Sequence, residues 1–201
     1  MRFEAIIFDF DGTLVDSANV KYDSFFRLFP ATEAYRRIVT DVLTRDPDGS
    51  RHAVIPRMVE AMRKRGLDVP DDNHVLRYGE IVEAGVSAAA ECPGASELLE
   101  SLRGRVKLYI ASNTPKEAVC RQAELRNWTR HFDGIFGYPA RKVDVVRDIL
   151  KGERIRPDRL AVIGDGVSDE EAARANGCVF IRIAKPSDLA TASRQLELTH
   201  V

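Results

Sequence analysis

Five short apolar runs punctuate the chain, at residues 3–10, 106–111, 134–136, 160–163 and 179–183. In the first, Ala5-Ile6-Ile7-Phe8 stand side by side with no polar residue between them. An unbroken apolar run of that length is the pattern of a strand covered on both faces, and so of a parallel sheet. Each run is bounded by Gly, Pro, Asp or Ser, and stretches of helical pattern separate them. Strand alternating with helix predicts an α/β protein with a doubly wound parallel sheet.

Helix starts fit that frame. Thr114-Pro115-Lys116-Glu117 reads as a Thr cap with Pro at the first helical position and Glu three residues after the cap. Ser168-Asp169-Glu170-Glu171 repeats the capping pattern, and Ser187-Asp188 opens a last helix running toward Leu198.

Between the first two strands the pattern changes. Apolar residues recur at helical spacing: Phe25, Leu28 and Phe29; Ile38, Val42 and Leu43; Ile55, Val59 and Met62; Leu76, Ile81 and Val82. Breaks fall at Phe29-Pro30, at Asp46-Pro47-Asp48-Gly49 and at Asp68-Val69-Pro70-Asp71. The block is too long for a single crossover. It predicts an inserted α-helical cap over residues 17–92, with residues 1–16 and 93–201 forming the α/β core. The hinges would lie near Asp16-Ser17 and Cys92-Pro93-Gly94.

Composition narrows the function classes. In 201 residues, 30 Lys plus Arg nearly balance 31 Asp plus Glu, which disfavours a general nucleic-acid binder. Cys92, Cys120 and Cys178 are too few and too scattered for a disulfide framework or a zinc site, and read as free thiols. No run approaches the ~20 apolar residues of a membrane span. Glu4 and Asp9 interrupt what would otherwise read as a signal segment. A cytoplasmic protein with no membrane or nucleic-acid partner is expected, as a monomer or homodimer.

In an open parallel sheet, ligands bind beyond the carboxyl ends of the strands. The first strand leads into Asp9-Phe10-Asp11-Gly12-Thr13 and the second into Ser112-Asn113-Thr114. The third leads to Arg141-Lys142, and the fourth to Gly164-Asp165-Gly166-Val167-Ser168-Asp169. Carboxylates gathered at one edge repel one another, and a divalent cation relieves this; all-oxygen ligation suits Mg²⁺. A cation beside a lysine and backbone N–H groups makes a site for a phosphoryl group. Asp9 can then attack phosphorus as nucleophile, and Asp11 can move the proton.

These motifs resemble those of the haloacid dehalogenase superfamily, in its phosphatase branch. The resemblance rests on Asp9 through Ser17, Ser112-Asn113-Thr114, Lys142, and Gly164-Asp165 through Asp169. It implies phosphate-ester hydrolysis through a phosphorylated Asp9, with Mg²⁺ held by the Asp9 carboxylate, the Asp11 backbone carbonyl and Asp165. Asp169 would be a direct or water-mediated ligand. Ser112 and Lys142 would hold the phosphoryl oxygens, aided by backbone N–H groups near Gly12 and Asn113. Val143 follows Lys142 where many relatives carry Pro, which leaves Arg141 as a neighbouring candidate for the basic role. The acid at Asp11 disfavours haloacid substrates. A cap lysine, Lys21 or Lys64, keeps the phosphonate-cleaving branch in view.

The expected substrate is a small phosphorylated metabolite. Arg51, in the turn Asp48-Gly49-Ser50-Arg51-His52, is a candidate for pairing with an anionic group on it. Two other readings use the same residues: a sugar phosphomutase, and, in a different class, a phospho-accepting signalling or binding module.

Overall fold

The computed structural model describes residues 2–46 and 50–197. Among them, five strands form one parallel sheet in the order β3-β2-β1-β4-β5. They are β1 (Ala5–Phe8), β2 (Lys107–Pro115), β3 (Gly134–Tyr138), β4 (Leu160–Gly164) and β5 (Val179–Arg182). The doubly wound parallel sheet expected from the apolar runs is therefore present. Register is continuous through the centre: Ile7 of β1 pairs with Tyr109 of β2 and with Val162 of β4.

Every residue of β1 is buried, which accounts for its unbroken apolar run. Ala5 and Ile7 share one face with Tyr109, Ala111, Leu160 and Val162. That face packs on Val145, Val146 and Ile149 of helix α7 (Lys142–Glu153) and on Ala172 and Ala173 of α8 (Val167–Ala175). Ile6 and Phe8 alternate to the opposite face and are equally buried.

From β1 the chain adds β2 and β3 on one side, then returns to add β4 and β5 on the other. The order reverses at β1, and in folds of this type ligands bind beyond the carboxyl ends of the strands at such a switch point. The remaining helices of this part are α5 (Ala95–Leu102), α6 (Lys116–Leu125) and α9 (Asp188–Glu197). Leu198, the expected end of α9, lies outside the described residues. Trp128 is buried and meets Phe10 edge-on, with ring centroids 6.4 Å apart. Its indole N–H donates to Ser96 Oγ at 3.0 Å. No helix among the described residues is long and apolar enough to cross a membrane.

The chain divides into two compact units, Ala18–Ala88 and the remainder. Residues 89–92 fall on the sheet side because Val15 bridges Glu91 antiparallel. The Asp16 N–H donates to Ala90 O, and the Cys92 N–H donates to Leu14 O.

The second unit consists of α1 (Ala18–Arg27), α2 (Glu33–Arg45), α3 (Arg51–Lys64) and α4 (His74–Ala88). The inward stripe of α4 is His74, Tyr78, Val82 and Val86, spaced four apart, while Leu76 is exposed. The apolar set expected there, Leu76, Ile81 and Val82, thus captures only Val82. Tyr78 stacks on Phe25 at 4.4 Å, and His74 stacks on Phe29 at 5.5 Å. Aromatic faces take the inward positions that an aliphatic count passes over. Helices α1 and α4 approach closely at Gly85, where a Cβ would come within 2.6 Å of Val20 Cγ1. The expected break at residues 47–49 lies outside the described residues.

Candidate active site

The ladder of β1 continues one residue past its end, since the Asp9 N–H donates to Ile163 O at 2.8 Å. Asp9 is therefore fixed by the central strand itself. The chain then turns sharply, with the Leu14 and Val15 N–H groups both donating to Phe10 O. Gly12 takes φ +81°, a conformation that L side chains resist. Its N–H donates to Val15 O at 2.7 Å. Gly12 thus gives the site its backbone path.

Lys142 opens α7 and is buried, whereas Arg141, its neighbour, is the exposed N-cap. Lys142 Nζ donates to Asp9 Oδ1 and to Asp169 Oδ1, each at 2.7 Å. The basic group of the site is Lys142. Burial, the largest influence on this ammonium, lowers its pKa, but Asp9 and Asp169 together outweigh it and hold Lys142 above the usual lysine value.

Asp169 is 1% exposed and sits in the first turn of α8. The helix begins earlier than Ser168 as a cap would place it: the N-cap is Gly166, whose N–H donates to Asp169 Oδ2 at 3.2 Å. Gly164 is required for this arrangement, because a Cβ there would overlap the Asp169 Cγ and Oδ2 atoms.

Asp9, Asp165 and Asp169 each place a carboxylate oxygen within 4.8 Å of the others. Burial, then the Asp9 charge, raises Asp169 to about 7 and Asp165 to about 6. Three crowded carboxylates facing one lysine hold excess negative charge, and a hard divalent cation suits that all-oxygen set. The Asp11 carboxylate is not part of that cluster.

Asp11 is held quite differently from Asp9. Ser17 Oγ donates to its Oδ1 at 2.7 Å, and Thr114 Oγ1 donates to its Oδ2 at 2.6 Å. The capping role expected of Thr114 is not what the fold uses. Strand β2 runs on through Pro115, and Pro115 takes the N-cap position of α6 without a side-chain cap bond. Nothing in the local sequence separates a Thr that caps a helix from one that reaches a carboxylate 103 residues away. Ser17 was likewise missed as a site residue, though it lies within the first motif.

Ser112 is buried within β2, and its Oγ accepts the Thr114 N–H at 3.1 Å. Asn113 is exposed, and its Nδ2 donates to Ser168 Oγ at 3.2 Å. Arg51 belongs to the helical unit, where its guanidinium lies over the Tyr78 ring at 5.4 Å. Asp48 and Gly49 of the expected turn lie outside the described residues.

A family model described as haloacid dehalogenase-like hydrolase matches residues 3–177. The chain belongs to this family. As a haloacid dehalogenase-like hydrolase, it is similar to tyrosine-protein kinase PtkA of Mycobacterium tuberculosis strain H37Rv. The two are 30% identical over 183 residues, covering 87% of this chain and 60% of that protein. The chain therefore spans 60% of the length of that relative. It is also 29% identical over 184 residues to the phosphorylated carbohydrates phosphatase of Thermotoga maritima, covering 87% of this chain and 82% of the other. Among solved structures it resembles a haloacid dehalogenase-like family hydrolase from Streptococcus pneumoniae. The TM-score is 0.66 at 24% identity, covering 94% of this chain and 90% of the other, a likeness of fold.

Proposed function

We propose that the chain is a Mg²⁺-dependent phosphatase that hydrolyses a small-molecule phosphate monoester through Asp9. One observation carries the reading. Asp9 and Asp11 lie two residues apart yet have separate partners, an ammonium for Asp9 and two hydroxyls for Asp11. Two carboxylates in different environments are suited to two different roles.

In this reading the Asp9 carboxylate attacks phosphorus, an Asp9 O–P bond forms, and the bond from phosphorus to the ester oxygen breaks. The leaving oxygen takes a proton from Asp11. A water then gives its proton back to Asp11 and attacks phosphorus. Inorganic phosphate departs and Asp9 is restored.

Lys142, buried against Asp9, would meet the phosphoryl oxygens. Ser112 and the backbone at Asn113 would complete their cradle. Asp9, Asp165 and the Asp11 carbonyl would hold Mg²⁺, with Asp169 as a direct or water-mediated ligand. When bound, the ion supplies charge stabilisation for the transferring phosphoryl group.

The helical unit would act as the substrate-selecting cap. There Arg51 would meet an anionic group of the substrate, its guanidinium already steadied by the Tyr78 ring. The similarity to a phosphorylated carbohydrates phosphatase supports a sugar phosphate as the substrate class.

A phosphomutase would hand the group on Asp9 to a sugar hydroxyl, and a kinase, as the name of the PtkA relative suggests, would hand one to tyrosine. Release of inorganic phosphate separates these outcomes. The test is a panel of phosphate monoesters assayed with purified protein, with and without Mg²⁺. Phosphate release that requires Mg²⁺ is expected. Hydrolysis of none of them, with no binding of a phosphate analogue, would overturn the reading.

A further inference from the structure

We propose that Thr114 aims Asp11 for proton transfer, a positioning role that rests on the phosphatase reading above. Thr114 reaches Asp11 Oδ2 at 2.6 Å, while Ser17 reaches Oδ1 at 2.7 Å. A single hydrogen bond leaves a carboxylate free to rotate about its Cβ–Cγ bond. Two donors on two different oxygens fix the plane of the group. Each carboxylate oxygen offers about two lone-pair sites, so the bond from Thr114 does not by itself exclude a proton on Oδ2.

The donor is itself held firmly. Thr114 lies in β2, beside Pro115, which pairs with Tyr138 of β3. Gly137 of β3 lets the Thr114 backbone come close, for a Cβ there would lie 2.5 Å from the Thr114 carbonyl oxygen. Thr114 stands in the irregular stretch of β2 between Ala111 and Pro115, where the register shifts, and its backbone there is packed against Gly137. The N-cap of α6 is Pro115, so removing the Thr114 hydroxyl takes no capping residue from that helix.

The consequence depends on the leaving group. An alkyl phosphate expels an alkoxide, which needs a proton as the ester bond breaks. A nitrophenyl phosphate expels a stable phenolate, which needs little help. If Thr114 aims the acid, its loss penalises the first far more than the second.

The test uses the full chain with Mg²⁺ and measures kcat/KM for glycerol 3-phosphate and for p-nitrophenyl phosphate. Thr114→Val is expected to lower the alkyl-to-aryl ratio by about tenfold or more, since aimed general acids contribute on the order of 10²-fold or above. Thr114→Ser, which keeps the hydroxyl, should hold the ratio near the wild-type value. Thr114→Ala, which adds no methyl group in place of the hydroxyl, should reproduce the skew and serves as the second variant should valine disturb folding. Equal losses on both substrates, or no loss on the alkyl ester, would overturn the role. If wild type does not turn over glycerol 3-phosphate, the alkyl member of the pair is whichever alkyl phosphate of the monoester panel it hydrolyses; hydrolysis of no panel member with no binding of a phosphate analogue would instead overturn the phosphatase reading, and the aim with it.

Discussion

Lys142 Nζ donates to Asp9 Oδ1 at 2.7 Å across 133 residues of sequence. The same ammonium donates to Asp169 Oδ1, and all three side chains are almost wholly buried. One strand end and two helix starts are thus tied at one cation.

Replacing that cation exposes its role. Lys142→Met leaves Asp9 and Asp169 buried without a counter-charge. Removing one partner of a buried ion pair typically destabilises by about 3–5 kcal/mol. The loss should approach this at pH 8 and shrink at pH 5.5, where Asp169, raised to about 7, carries a proton and relieves the repulsion. Urea unfolding of wild type and variant at the two pH values checks it. An equal loss at both would contradict the account.

Magnesium should stabilise the protein in a pH-dependent way. Asp165 and Asp169 titrate at about 6 and about 7, well above the usual 3.8. Between those values the metal-free fold holds more protons than the unfolded chain. Their stabilising contribution is present in acid and is lost as pH rises through 6 to 7. Mg²⁺ must displace these protons in acid but meets bare carboxylates in mild alkali. The rise in Tm on adding MgCl₂ is therefore expected to be larger at pH 8 than at pH 5.5, by calorimetry.

Gly164→Ala places a methyl group against the Asp169 carboxylate. Overpacking of this kind costs about 1–3 kcal/mol. It should also push Asp169 away from Lys142 and Asp9, so that half-maximal activity requires more Mg²⁺. A titration of phosphate release against Mg²⁺ measures the shift, and an unchanged midpoint would speak against Asp169 as a ligand.

Asp9→Asn and Asp11→Asn should separate two roles. The first removes the proposed nucleophile and is expected to lower kcat by more than about 10³-fold with folding retained. The second should lower kcat/KM, which reports transfer to Asp9, by about 10²–10⁴-fold on alkyl esters and much less on p-nitrophenyl phosphate. Circular dichroism together with kinetics on both substrates distinguishes them.

Much of this was legible in the residues. The strand runs stand out because burial on both faces leaves no room for polar residues, and β1 and β4 fall within the runs expected for them or one residue beyond. The polar motifs are legible because they follow strand ends, where an Asp or Lys has no place in a core. Thr114 was misread because Thr-Pro-x-Glu is a sound local signal for a helix start, and a long-range acceptor outbid it. The inward face of α4 was misjudged because His74 and Tyr78 bury aromatic surface while counting as polar in a pattern.

The central place of β1 in the sheet has a consequence for synthesis. Ala5 pairs with Lys107 on one side and Leu160 on the other. At ribosomal rates of about 5–20 residues per second, β1 waits roughly 10 to 30 seconds before its second neighbour has been made. Until β2 has been made, about 5 to 20 seconds after β1, both hydrogen-bonding edges of this apolar strand stand bare, and one edge stays bare until β4 follows. The helical segment, complete by Ala88, can close on itself first. The strand that leads into Asp9 is therefore the one that waits longest in the nascent chain for both of its neighbours.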